Sequence, residues 1–393
     1  MKEKLKLFYY SIIAALSSFL FGLFLTSESV LYPRLEDNFK LQNFYFGFGV
    51  YKSLFASIVF LGAFISSYFV FLVNDLDRKI VLIINNLTYL LGSGLTLFFE
   101  DIYILLMSRF IIGLGAGISC CIVPSYVFSI TDDRNRGFYM SFHSIGIVLG
   151  LVIGKVFCIT YTSAAWDSVY TFITLLVIIH TIGLFVIKKC PSSSGEFDHT
   201  TIPQLLKNRR AIRSTFLAVC FHIAQHACGI DFFTIFIEEI LSQQPDAEIQ
   251  GAFTLAFSAL VSVISCCFID KVGRKIFMCI STAIVLISTL IMGFGQLKLF
   301  ICYLYVFGYN IGLSSIPWFI TNEIFTPEYC MPAMRLTVGV NWMSAFLLSF
   351  INMPLYTMIG SYIFLVNSLF MAVFLVIVVC LFKETKNRPA EFQ

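Results

Sequence analysis

The sequence predicts an all-α integral membrane protein, with twelve transmembrane helices in two pseudo-symmetric six-helix bundles. Three observations carry that expectation. The chain of 393 residues is 58% hydrophobic and only 12% charged, with a mean hydropathy of +0.87. A soluble domain of this length cannot hide so much apolar side chain, because surface-to-volume scaling leaves much of it facing water. Apolar runs long enough to cross ~30 Å of hydrocarbon as a helix recur along the whole chain. Finally, the cluster NDLDRK at 74–79 returns as DKVGRK at 270–275, at the same point in each half. Such an echo is the mark of a parallel internal repeat, in which substrate binds near the midplane between the halves.

In order, the spans read as about 8–32, 44–73, 80–99, 102–130, 137–162 and 166–187, then 214–241, 250–269, 276–296, 299–325, 333–360 and 361–382. The first follows Lys2, Lys4 and Lys6 and is too long for the apolar core of a cleavable signal. The two charged clusters fall in matching loops, after spans 2 and 8. Between spans 6 and 7 lies the one long polar insertion, residues 188–213, a Pro/Ser/Gly linker ending in a basic run with room for one short helix. The organisation is therefore an N-terminal bundle at 1–187, a short linker at 188–213 and a C-terminal bundle at 214–393. An even number of spans puts both termini on one side. That side collects 20 of the 26 Lys and Arg, so the positive-inside rule makes it cytoplasmic, with the plasma membrane the expected location.

Twelve Cys are scattered, mostly within spans, with none at metal-ligand spacing; they read as small packing residues rather than a disulfide framework. The sequon at Asn86 falls inside a span and is discounted. No HExxH, no Cys/His cluster and no Ser/His/Asp set points to an enzyme. No metal, cofactor or nucleic-acid partner is implied, and no feature sets an oligomeric state.

Polar residues inside the spans carry the functional signal. In span 7, His222, Gln225, His226 and Gly229 share one helical face. Polar groups on a transmembrane helix are costly, so three on one face favour a wet cavity over hydrogen bonding that only glues helices together. Gly229 loosens that helix and allows Asp231 to turn toward the same space. His222 and His226 stand at a metal-binding spacing, but no third ligand is evident. In span 10, Asn310, Ser314, Pro317, Trp318 and Thr321 form a second stripe. Pro317 frees a backbone carbonyl and suggests a break, and Trp318 offers a ring face and an N–H to a ligand. In span 5, Ser144 and Lys155 lie on one face, with Lys155 either snorkelling or facing the cavity.

These residues and their order resemble the sugar porters of the major facilitator superfamily. The resemblance covers nearly the whole chain. "SRFIIGLGAGISCCIVPSYVFSITDDRNRG" over spans 4 and 5 is similar to that family's GRxxxGxGxG, Pro-x-Tyr and Arg-Gly pattern. "DKVGRK", "IPWFITNEIF" at 316–325, "NW" at 341–342 and "KETKNR" at 383–388 match its further motifs in order, and "QHACGID" at 225–231 is a degraded QQxSGIN. The resemblance implies the major facilitator fold and an inner-gate charge network of Arg78, Lys79, Arg136, Asp270, Arg274, Lys275, Glu323, Glu384 and Arg388. It implies sugar contacts at Gln225, Trp318, Asn341 and Trp342, with His226, Asp231 and Ser144 at positions where relatives carry amides; Asn310 joins them on chemistry alone.

The departures matter for coupling. Proton-coupled sugar porters carry an acid in span 1 facing the span-4 Arg. Here Phe24 stands in that place, and Arg109 is expected to lack its partner, which favours passive facilitation. Glu28, one turn on, and Asp231 are the candidate substitutes through which a symporter could couple to protons. The polar spans also suit a porter of an organic anion or sugar phosphate, drawing on His222, His226, Lys155 and Arg109, or a non-transporting sugar receptor. The charged loops are expected to latch the two bundles by several modest ion pairs that release when the inner gate opens.

Overall fold

The computed structural model describes residues 2–32, 35–36, 48–70, 76–131, 136–160, 166–189, 200–242, 244–295, 299–386, 388 and 390–393. The side chains of 2–4, 48, 128, 136–138, 140–141, 266–267 and 269–270 lie outside that description, which removes Arg136 and Asp270 from any account of contacts. Asp75 and the linker segment 190–199 are likewise outside it.

The chain divides into two units, Met1–Ser193 and Ser194–Gln393. The first holds helices Lys2–Thr26, Phe48–Phe69, Arg78–Phe98, Ile102–Ile130, Arg136–Thr160 and Trp166–Leu184, with a 3-10 turn Ser27–Leu31 continuing the first. The second opens with the short helix Ile202–Lys207. Span 7 follows as Ile212–Ala227, Ile230–Ile235 and Ile237–Ile240, then come Ala247–Val272 and Arg274–Gly293. Span 10 is Leu299–Gly308, a π-turn Tyr309–Leu313 and Ile316–Ile324, and the last helices are Pro327–Ile359 and Ile363–Leu381. Among the described residues, eleven apolar stretches are long enough to cross a membrane, and the last, Pro327–Leu381, runs 55 residues and contains two helices. They part at the 3-10 turn Gly360–Tyr362, where Gly360 takes a φ of +59°. That makes twelve spans. Most boundaries shift by a few residues from those expected from sequence, and two shift by six: the first helix reaches back to Lys2, and span 11 begins at Pro327, whose fixed φ suits a first helical turn.

Lipid tails are as apolar as leucine, so the helices of a unit are held by close backbone approach and internal hydrogen bonds instead. The glycines of span 4 do this against span 2, where a Cβ on Gly113 would collide with the Val59 carbonyl. Gly150 of span 5 meets the Phe19 carbonyl of span 1 in the same way. Between them sits a polar knot: Ser17 and Ser119 hydroxyls 2.8 Å apart, Asn85 donating to both, and the Tyr89 hydroxyl 3.0 Å from Ser119. Asn86 is equally internal, donating to Thr181 at 2.8 Å and lying beside His180.

Candidate functional site

The second unit gathers most of the substrate residues anticipated from sequence. Span 7 stops its helix at Ala227, and Gly229 adopts a φ of +89°, a left-handed conformation that suits glycine. A Cβ there would also strike the Asn367 amide. The chain restarts at Ile230, which brings the Asp231 carboxylate to 2.6 Å from Nδ1 of His226. The carbonyl stranded at Cys228 accepts from the Tyr305 hydroxyl at 3.0 Å.

Span 10 breaks as well. The Trp318 amide bonds the Ser315 carbonyl at 3.2 Å rather than that of Ser314. The Ser314 oxygen is thereby left for a side chain, and Gln225 Nε2 donates to it at 3.0 Å. The Asn341 amide of span 11 donates to Gln225 Oε1 at 2.6 Å. Gln225, 3% exposed, thus cross-links spans 7, 10 and 11. Around this bridge stand three rings: His222 edge-on to Trp318 at 5.8 Å, and Trp318 tilted against Trp342 at 6.0 Å. Both ring nitrogens of the buried His222 have no hydrogen-bond partner among the described residues, while the side chains of His226 and Asn341 lie against each other.

Asn310 sits differently. Its Nδ2 donates to Ser258 and to the Val306 carbonyl, both at 2.7 Å, and its Oδ1 accepts from Ser262 at 2.7 Å. In this structure it ties span 10 to span 8, and its amide is used up there. The sequence signal for this is Ser258 and Ser262 on one face of span 8, which the polar stripes of spans 7 and 10 overshadow. Asn367, beside Ser368 in an otherwise apolar helix of span 12, is a second signal of the same kind.

In the first unit, Ser144 is half-buried and Lys155 is almost fully buried, so the ammonium does not snorkel outward. The expectation that Arg109 lacks an acidic partner is corrected. Arg109 forms an ion pair with Glu28, both side chains at 2% exposure or less. Its Nη1 also donates to the Phe24 carbonyl at 2.9 Å, and Tyr32 donates to the other Glu28 oxygen at 2.9 Å. Phe24 itself stacks on Tyr89 with centroids 5.3 Å apart. The acid is displaced by one helical turn, and the arginine reaches it because the chain continues past Thr26 as a 3-10 turn.

Within each unit the charged clusters bind helix ends. Asp77 caps span 3 by accepting from the Lys79 amide at 2.8 Å, which explains an acid that membrane topology alone does not require. Lys79 Nζ donates to the carbonyls of Phe185 and Ile187 at the end of span 6; Lys275 Nζ does the same to Val379 near the end of span 12. The repeat is therefore visible in side-chain roles. The arginines differ: Arg78 donates to the Ser129 hydroxyl at 2.6 Å, whereas Arg274 grips Glu323 at 2.8 and 3.0 Å.

Span 9 has no Asp in the capping position, and the tail supplies the cap. Glu384 accepts from the amides of Arg274 and Lys275 at 2.9 and 3.0 Å, and from those of Thr385 and Lys386 at 3.0 Å. Gly273, at a φ of +111°, leaves room, since a Cβ there would press on that carboxylate. Thr385 adds a hydrogen bond to Glu323, and the Arg388 amide closes on the Thr385 carbonyl at 3.1 Å. Burial pushes the Glu384 carboxyl up, but the four amides outweigh it and hold its pKa below the ordinary 4.5. A depressed acid stabilises the fold above its unfolded pKa and loses that contribution as pH falls through the lowered native value. Glu384→Gln is thus expected to melt earlier than wild type at neutral pH, with the gap closing below about pH 4.5. A gap that stays constant from pH 7 to pH 3 in thermal unfolding would remove Glu384 from this role.

With the geometry established, comparisons place the chain. A family model described as sugar (and other) transporter matches residues 10–195 and 186–393. The chain belongs to that transporter family. It is a multi-pass membrane transporter, not an enzyme. Among similar proteins, facilitated glucose transporter member 3 of Rattus norvegicus is 23% identical, covering 86% of this chain and 80% of that one. Facilitated glucose transporter member 1 of Gallus gallus is 25% identical over the same shares. Hexose transporter 1 of Toxoplasma gondii is 25% identical, covering 75% of this chain and 64% of that one. Among solved structures, a proton:xylose symporter, XylE, bound to 6-bromo-6-deoxy-D-glucose aligns with a TM-score of 0.81 at 16% identity, covering 98% of each chain. The inward-open form of XylE from E. coli aligns at 0.82 and 16% identity, again over 98% of each chain. The transporter therefore has the twelve-helix major facilitator fold.

Proposed function

We propose that this transporter carries a neutral monosaccharide, a hexose such as glucose, down its gradient by alternating access. The observation that carries the reading is the wall built by spans 7, 10 and 11. It combines amides, two indoles and the two unfilled ring nitrogens of His222. A ligand with many hydroxyls, each able to donate and accept, completes such atoms, while its C–H faces lie against Trp318. The facilitated glucose transporters and the hexose transporter among its relatives support this substrate class.

In this reading Gln225, His226, Asp231, Trp318, Asn341, Trp342 and Ser144 bind the sugar, with Gln225 also setting the position of Asn341. Asn310 serves by holding span 10 against span 8. The groups Arg78, Lys79, Arg136, Asp270, Arg274, Lys275, Glu323, Glu384 and Arg388 form the inner gate. Residues 1–187, 188–213 and 214–393 act as bundle, linker and bundle, with both termini in the cytoplasm and the protein in the plasma membrane. Phe24 cannot titrate, so proton coupling would have to run through Glu28 or Asp231; the facilitated glucose transporters among the relatives support passive transport.

Uptake of labelled glucose into proteoliposomes, with and without an imposed pH gradient, tests the reading. Saturable uptake that stops at equilibrium and ignores the gradient is the expected result. Accumulation driven by the gradient would replace facilitation with proton coupling and direct attention to the Glu28–Arg109 pair. Absence of glucose uptake in both conditions would overturn the substrate assignment.

A further inference from the structure

We propose that the basic run 207–213, at the foot of span 7, binds the headgroups of anionic phospholipids. Lys207, Arg209, Arg210 and Arg213 are all exposed, and the sequence holds no Asp or Glu between His199 and Asp231. Three other cations at this end of the unit are occupied: Arg274 by Glu323, Lys275 by a carbonyl of span 12, and Lys386 by the Lys271 carbonyl. Among the described residues, no carboxylate pairs with Lys207, Arg209 or Arg210.

The run is held in place rather than trailing. Leu205 and Ala211 are buried, anchoring the segment on either side. The Asn208 amide bonds the Leu205 carbonyl, the Ala211 amide bonds the Asn208 carbonyl, and the Asn208 side chain accepts from the Arg210 amide at 3.0 Å. Arg213 Nη2 donates to the Leu381 carbonyl at 2.7 Å, fixing the run at the level where span 12 ends. Immediately beside the cations the exposed side chains turn apolar: Leu206 at 53%, Ile212 at 52% and, one turn along span 7, Phe216 at 48%.

Those two layers match the chemistry of a phospholipid. Acyl chains cover Ile212 and Phe216, and the phosphate lies against guanidinium groups, whose planar forks suit it better than a point charge does. A row of cations just outside a transmembrane helix attracts an anionic membrane surface, and the attraction weakens with salt. Positive charge for topology alone needs neither the rigid turn nor the adjoining exposed apolar residues.

The test uses the full-length protein in phosphatidylcholine vesicles carrying a trace of spin-labelled phosphatidylglycerol or spin-labelled phosphatidylcholine. The readout, the motionally restricted fraction of each label, is independent of what the protein transports. Wild type is expected to prefer phosphatidylglycerol about three- to tenfold, less at high salt. The Lys207→Gln/Arg209→Gln/Arg210→Gln variant should fall close to parity while melting like wild type. Equal preference in the two proteins overturns the proposal. So does displacement of the labelled lipid by micromolar inositol hexakisphosphate, which would assign the run to a soluble polyphosphate. Should the triple variant unfold, Arg210→Glu alone must at least halve the preference, and a failure to do so has the same consequence.

Discussion

Glu28→Ala is expected to lower stability more than other substitutions in the first unit, by about 3–5 kcal/mol. The guanidinium of Arg109 is 1% exposed. Among the described residues, without Glu28 it keeps only neutral acceptors, the Phe24 carbonyl at 2.9 Å and the Phe55 carbonyl at 3.5 Å. A buried charge without its counter-charge bears the full desolvation penalty, whereas replacing both partners with apolar groups of similar volume is often tolerated. Glu28→Gln, which retains an acceptor for Arg109 and Tyr32, should lose less than Glu28→Ala. The double variant Glu28→Leu/Arg109→Leu should recover much of the loss. Thermal unfolding in one detergent across the four proteins decides it. If Glu28→Ala melts with wild type, the ion pair is not holding spans 1 and 4 together.

The second large effect is on substrate. Gln225→Ala is expected to weaken sugar binding about 10- to 100-fold, the scale set by leaving one or two buried polar groups unpaired. The Ser314 carbonyl and the Asn341 amide would both lose their partner, and spans 7, 10 and 11 would lose their cross-link. Arg274→Ala is the contrast. It removes the grip on Glu323 at the start of span 9, away from the aromatic wall. It should shift the balance between outward- and inward-facing states while leaving the intrinsic affinity nearly unchanged. Direct binding of glucose to both variants, paired with uptake rates, separates the two roles. Equal losses of binding in both would end that division of labour.

The two predictions differ in how they could be foreseen. Gln225 and Asn341 stand out because a polar side chain in an apolar helix is conspicuous wherever it lies. Their mutual bond does not, since they are 116 positions apart. The partner of Arg109 is hidden for a related reason. A motif fixes the position at which an acid is expected, but a long guanidinium satisfies itself with any carboxylate within reach. Here a 3-10 turn after Thr26 presents Glu28 one turn further along. Asn310 reads as cavity-lining from its own helix stripe. Only its packing against span 8 reveals that Ser258 and Ser262 take up its amide.

What the sequence determined by itself follows from local and additive properties. Hydropathy marks spans, counting gives the two halves, and the spread of Lys and Arg suggests sidedness, because each depends on the transfer cost of individual residues. The breaks at Gly229 and Pro317 belong here too, as backbone geometry is set by the residue that must adopt it. Tertiary structure alone decided which freed backbone group meets which side chain. The Ser314 carbonyl goes to Gln225, the Cys228 carbonyl to Tyr305, and the start of span 9 to Glu384, 110 positions away. Every backbone carbonyl and amide is chemically the same along a sequence. Which of them needs a partner inside a membrane protein, and which side chain is close enough to serve, exists only once the helices are packed.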